Sequence, residues 1–194
     1  MAAFATTLAR ALAMASAVAL AACGKGSAAN GLSEPTPSAS VISIAAAMGE
    51  CADLETCARE CDAGASDRCR RMGVNYEFGK GAERDEARAT ALYARACDMG
   101  NSEGCLAAGR MNEFHHGVVK DDARAVGFYQ RSCDLQNAAG CANLAILLES
   151  GRGGPRDLAR ALELYRSACQ RGAGLACERM KHLAGALGDA AGHD

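Results

Sequence analysis

The chain has 194 residues, 49% of them hydrophobic and 4% aromatic with no tryptophan, and its formal net charge is −2. That length suits one domain of ordinary size. The near-neutral charge excludes the basic footprint of a nucleic-acid binder. With so few aromatic residues, Ala, Leu, Met and cystine must fill the core, which favours helices in close contact.

Residues 1–22 read as a targeting segment. Arg10 supplies a weakly positive start, and Ala11 to Leu20 form an apolar run too short to anchor stably in a bilayer. Leu20-Ala21-Ala22-Cys23 resembles a bacterial lipoprotein signal, in which Cys23 is acylated and becomes the new N-terminus. A plain secretory peptide cut at an A-x-A-like site is the alternative. Gly24 stands where an inner-membrane retention signal usually has Asp. Residues 23–40, rich in Ser, Ala and Gly with Pro35 and Pro37, read as a flexible tether. The expected location is exported and lipid-anchored, at an outer membrane, facing the periplasm or the cell surface.

Setting Cys23 aside leaves ten of the 11 cysteines, an even number that suits disulfides in an oxidising compartment. Eight of them lie on a grid. Cys61, Cys97, Cys133 and Cys169 are 36 residues apart, and Cys69, Cys105, Cys141 and Cys177 each follow a member of that set by eight. A fixed period of this size marks a stacked repeat. No CxxC and no suitably spaced histidine accompanies the grid, so no metal site is expected.

Residues 41–68 are expected to form an N-terminal cap helix. Cys51 and Cys57 are off the grid. Six residues along one straight helix rise about 9 Å, too far for a disulfide, so a Cys51–Cys57 bond requires a bend before about Asp53. Cys57 and Cys61 share a face, which leaves a shuffled pairing open.

Residues 69–174 then give three helix pairs. In helix A of the first repeat, Cys69, Met72, Gly73 and Tyr76 follow helical spacing, and Glu77, Phe78 and Gly79 follow them. Glycines are expected to close each helix A. Asp85, Asp121 and Asp157 suit the N-cap of helix B. Alanines at 87 and 89, 123 and 125, and 159 and 161 suit close helix contact, and Tyr93, Tyr129 and Tyr165 suit packing between helices A and B. Each grid pair (Cys61–Cys69, Cys97–Cys105, Cys133–Cys141 and Cys169–Cys177) joins the end of one helix B to the start of the next helix A. Residues 175–187 read as a capping helix A without a partner, and 188–194 as a disordered tail.

Met72-Gly73-x-x-Tyr76-Glu77-x-Gly79-x-Gly81, then Asp85, Ala87 and Ala89, then Tyr93-x-x-Ala96-Cys97 closed by Gly100, resembles the Sel-one-like repeat family, a relative of tetratricopeptide repeats. The cysteines eight apart are similar to the Helicobacter cysteine-rich branch. Asn112 and Leu148 replace the helix A tyrosine, and Ala145 its glycine. The resemblance implies an all-α solenoid of antiparallel helix pairs, with helix A lining a concave groove, that acts as an adaptor for proteins or peptides. It also implies an alternative: penicillin or muropeptide binding with weak β-lactam hydrolysis.

No catalytic motif supports an enzyme. There is no S-x-x-K, H-E-x-x-H or G-x-S-x-G. Adjacent His115 and His116 read as a solvated turn, His182 and His193 have no partner pattern, and Gly151 to Pro155 as a turn without the lysine of a phosphate loop. The outer side of helix A carries Arg71, Val74, Asn75 and Phe78, then Arg110, Met111 and Phe114, then Asn143, Ile146 and Leu147. Arg71, Arg110 and Asn143 are the expected exposed binding residues. The expected partner is a protein or peptide, with a peptidoglycan fragment or β-lactam as the alternative. A monomer without a cofactor is expected.

Overall fold

The computed structural model describes residues 51, 53–114 and 116–191, with side chains to 188. The signal segment, Cys23, the tether, residues 41–50 of the expected cap, His115 and His193 lie outside the described residues. Eight helices and no strand occur among the described residues: α1 (Leu54–Asp62), α2 (Ser66–Phe78), α3 (Glu86–Asp98), α4 (Ser102–Glu113), α5 (Asp122–Asp134), α6 (Ala138–Ser150), α7 (Leu158–Gln170) and α8 (Gly174–Ala191). Each packs on the next in chain order. α2, α4, α6 and α8 are the A helices; α3, α5 and α7 are the B helices.

Local chemistry sets the boundaries. The carboxylates of Asp85, Asp121 and Asp157 accept from Arg88 N, Arg124 N and Arg160 N at 2.8, 2.9 and 2.9 Å, satisfying donors that a helix start leaves open. Their own N–H groups close each A–B turn by donating to Tyr76 O, Asn112 O and Leu148 O at 2.9–3.0 Å. Asn101 and Asn137 cap α4 and α6 in the same way.

Several boundaries differ from the sequence reading. α1 begins only at Leu54, capped by Asp53, so Cys51 lies ahead of the helix. That extended step brings Cys51 within 6.0 Å (Cα–Cα) of Cys57, and the two are bonded. α2 starts at Ser66, before Cys69. Gly79 and Gly151, at φ 67 and 70, close α2 and α6, whereas α4 closes at Phe114 with φ −110. The last helix runs through Ala191, so residues 188–191 are helical rather than a disordered tail. It carries no strong breaker before that point: Gly185 and Gly188 each cost only about 1 kcal/mol in a helix.

Only one alanine of each pair is in the core. Ala89, Ala125 and Ala161 are fully buried, while Ala87, Ala123 and Ala159 are exposed. Two residues turn a helix through about 200°, so the pair cannot share a face. The buried tyrosines Tyr93, Tyr129 and Tyr165 fill the space between A and B helices. The glycine opposite makes room: a Cβ on Gly109 would lie 2.5 Å from Tyr129 Cε1, and one on Gly73 2.6 Å from Tyr93 Cε1.

Bonds at Cys61–Cys69, Cys97–Cys105, Cys133–Cys141 and Cys169–Cys177 bring Cα atoms to 4.4–4.8 Å. Each cross-links the end of a B-type helix to the next A helix, where a repeat domain depends on neighbour contacts.

Candidate functional site

One arrangement recurs in every repeat. Tyr93, Tyr129 and Tyr165 donate to Glu77 Oε2, Glu113 Oε2 and Glu149 Oε2 at 2.5, 2.7 and 2.7 Å. An arginine of the following repeat meets each carboxylate: Arg110 with Glu77 at 3.5 Å, Arg152 with Glu113 at 3.0 Å and Arg179 with Glu149 at 3.5 Å. Burial, and then the neighbouring carboxylate, push all three phenols well above the ordinary tyrosine range. In this arrangement the phenols act as hydrogen-bond donors to the glutamates. The glutamates recur 36 residues apart, a signal visible in the sequence to which no role had been given.

A second contact ties the A–B turn of one repeat to the start of helix B in the repeat before it. Arg152 donates to both carboxylate oxygens of Asp122, at 2.8 and 3.1 Å. Those bonds hold the Asp122 carboxyl below its usual range and raise the guanidinium. In the second repeat His116 occupies the same place, with Nδ1 4.0 Å from Glu86 Oε1. Gly117 and Gly153, which follow His116 and Arg152 at positive φ, let the turn lie against that helix; a methyl group on either would collide with it. A third link joins successive helix ends: Arg95 to Asp62 at 2.6 Å and Arg131 to Asp98 at 2.8 Å.

The A-helix face divides the expected binding residues. Arg110 is exposed, with 48% of its side chain accessible. Asn143 is half-buried, and its carboxamide makes no hydrogen bond to any described residue. Arg71 is less available than expected, because its guanidinium lies 2.6 Å from Asp67 and its side chain is 22% accessible. The Nε there is buried without an aligned acceptor, so this contact is an ion pair rather than a directed hydrogen bond.

Three other positions assigned to this face belong to the core. Asn75, Met111 and Leu147 are equivalent, and all are at most 1% exposed. Met111 and Leu147 pack between repeats. Asn75, with no preceding complete repeat, donates through Nδ2 to Cys51 O at 3.0 Å. Phe78 and Phe114 remain exposed, at 60% and 57%. Val74, Leu106, Ala107, Ala142 and Ile146 are half-buried around Arg110 and Asn143 in the sequence of the face.

A hollow of about 980 Å³ opens beside the first A–B turn rather than on this face. Tyr76, Arg84, Arg88 and Gly117 help to wall it. Arg88 stacks over the Tyr76 ring at 4.6 Å, a cation–π contact. Among the described residues, no three His, Cys, Asp or Glu side chains gather as metal ligands. No described helix is long and apolar enough to cross a membrane.

The Sel1 repeat model matches residues 69–101, 102–137 and 138–172, and the chain belongs to this repeat family. Its repeats generally mediate protein–protein interaction. Among solved structures, a Sel1 repeat protein from Oxalobacter formigenes is 28% identical with TM-score 0.57, over 61% of this chain and 49% of its own. A protective antigen of uropathogenic Escherichia coli with an SLR fold is 23% identical with TM-score 0.59, over 63% and 26%. Helicobacter pylori cysteine-rich protein B is 22% identical with TM-score 0.51, over 64% and 90%. The chain thus spans about half the length of the Oxalobacter protein. No curated protein sequence matches significantly.

Proposed function

We propose that this protein is an exported, envelope-held scaffold that grips a segment of a partner protein along its A-helix face. One observation carries the reading: Arg110 stands exposed and the Asn143 carboxamide has no hydrogen-bond partner among the described residues, on adjacent A helices and among half-buried apolar side chains. A carboxamide offers two donors and an acceptor, which suits a peptide backbone. A guanidinium suits a carboxylate, and Leu106 and Ile146 supply apolar contact. Cystine in every repeat supports an oxidising compartment. Leu20-Ala21-Ala22-Cys23 supports acylation at Cys23.

Envelope proteins retained on the immobilised, oxidised protein test this. A specific partner should be lost with Arg110→Glu and with Asn143→Ala, and kept with Arg124→Glu on the exposed side of α5. A partner that survives both A-helix substitutions would place the binding surface elsewhere.

A further inference from the structure

The rim formed by the A–B turns ends in apolar side chains that the packing of the repeats does not use. Phe78 and Phe114 occupy equivalent positions one repeat apart and are 60% and 57% exposed. Val119, in the second A–B turn, is 87% exposed. Because Gly117 seats the second turn against Glu86 and Ala87 of the first repeat, these three side chains share one edge. Lys80 and Lys120 lie in the same turns and are exposed.

The chain joins the domain at this edge too. Asn75, in the last turn of α2 and three residues before Phe78, donates to Cys51 O, while the bond to Cys57 fixes Cys51. Residues 24–50, 27 in number, are all that separate this point from Cys23. They can span at most about 90 Å.

The opposite rim has apolar side chains as well: Met99, Leu135 and Leu175 are 36%, 42% and 71% exposed. Its carboxylates Asp62, Asp98 and Glu103 pair with Arg95, Arg131 and Arg70, and on the A–B rim Lys120 pairs with Asp122. What sets the A–B rim apart is that the chain joins the domain there.

We infer that the A–B rim rests on a lipid bilayer, with Phe78, Phe114 and Val119 entering its interfacial layer. Such binding grows with buried apolar area and is aided by cations. The A-helix face is then left open to its partner. This orientation rests on the envelope reading above, but not on acylation itself. Glu83 and Asp85, exposed acids of this rim, belong at its margin.

Non-acylated residues 24–194, which retain every described residue and all ten paired cysteines, provide the test. The chain has no tryptophan, so Phe114→Trp gives a single reporter. With phosphatidylethanolamine–phosphatidylglycerol vesicles, the indole emission should shift to the blue and be quenched by brominated lipid. Adding Phe78→Glu should weaken partition about tenfold, as loss of one buried phenyl requires. Glu83→Lys should strengthen it, and Leu135→Glu should leave it unchanged. No lipid-dependent shift, or a partition indifferent to Phe78→Glu, overturns the proposal. A shift that depends on protein concentration without lipid assigns the edge to a second copy and also overturns it. Palmitate labelling at Cys23 in cells reads the anchoring separately, so the two can fail independently.

Discussion

The phenol of Tyr129 and the carboxylate of Glu113 form a buried hydrogen bond of 2.7 Å, and Arg152 of the next repeat holds the other oxygen of that carboxylate at 3.0 Å. One side chain therefore fastens helix A to helix B within a repeat and joins that pair to the following repeat. Glu113 is 6% exposed, so little water is available to replace a lost partner.

Tyr129→Phe keeps the ring that fills the space beside Gly109 and removes only the donor. Leaving a buried carboxylate short of one partner costs about 1–3 kcal/mol. Chemical denaturation should show that loss with an unchanged m-value. An equal stability for the two proteins would mean that Arg152 alone satisfies Glu113.

Removing one cross-link should loosen one junction rather than the whole fold. For C97A/C105A, the chain-entropy relation for a loop of about eight residues gives about 2.5 kcal/mol. Hydrogen exchange should accelerate most at the α3–α4 junction, and less in α6 and α7, because repeats depend on their nearest neighbours. Uniform acceleration would contradict this.

The sequence made much of this architecture legible. The 36-residue step in the cysteines, tyrosines and capping aspartates declares stacked helix pairs, because each repeat must present the same chemistry to its neighbour. The binding face was harder to read. Asn75, Met111 and Leu147 share a register with residues on the outer side of an isolated helix, and only the neighbouring repeat buries them. Arg71 looks free in sequence because its partner Asp67 lies in the α2 turn assigned to the preceding cap. The Arg152–Asp122 contact joins residues 30 apart through a turn whose course depends on Gly153. No helical period announces such a contact.

The same contact has a pH signature. Hydrogen bonds from Arg152, with smaller help from Lys120, depress the Asp122 carboxyl. A depressed carboxyl contributes stability that is complete above the unfolded value, near pH 4. It fades as pH falls through the lower folded value. Asp122→Asn should therefore lower the melting temperature at pH 6, and the gap should close as both proteins are taken toward pH 2. A gap of constant size across that range would show that the carboxylate charge is not involved.

His116 stands where the third repeat has Arg152, but only 4.0 Å from Glu86 and 48% accessible. His116→Arg should bring a permanent cation to this clasp and raise stability modestly, by less than about 1 kcal/mol, as partly exposed pairs do. The gain should shrink in 1 M salt, where charges are screened. A gain that persists at high salt would point to packing instead.

The central claim is that a partner lies along the A-helix face, and site-specific photo-cross-linking in intact cells tests it most directly. A photoreactive residue at position 110 or 143 should capture the same protein, and one at position 124 should not. Efficient capture of that protein from position 124, with none from 110 or 143, would contradict the account and move the binding surface to the B helices.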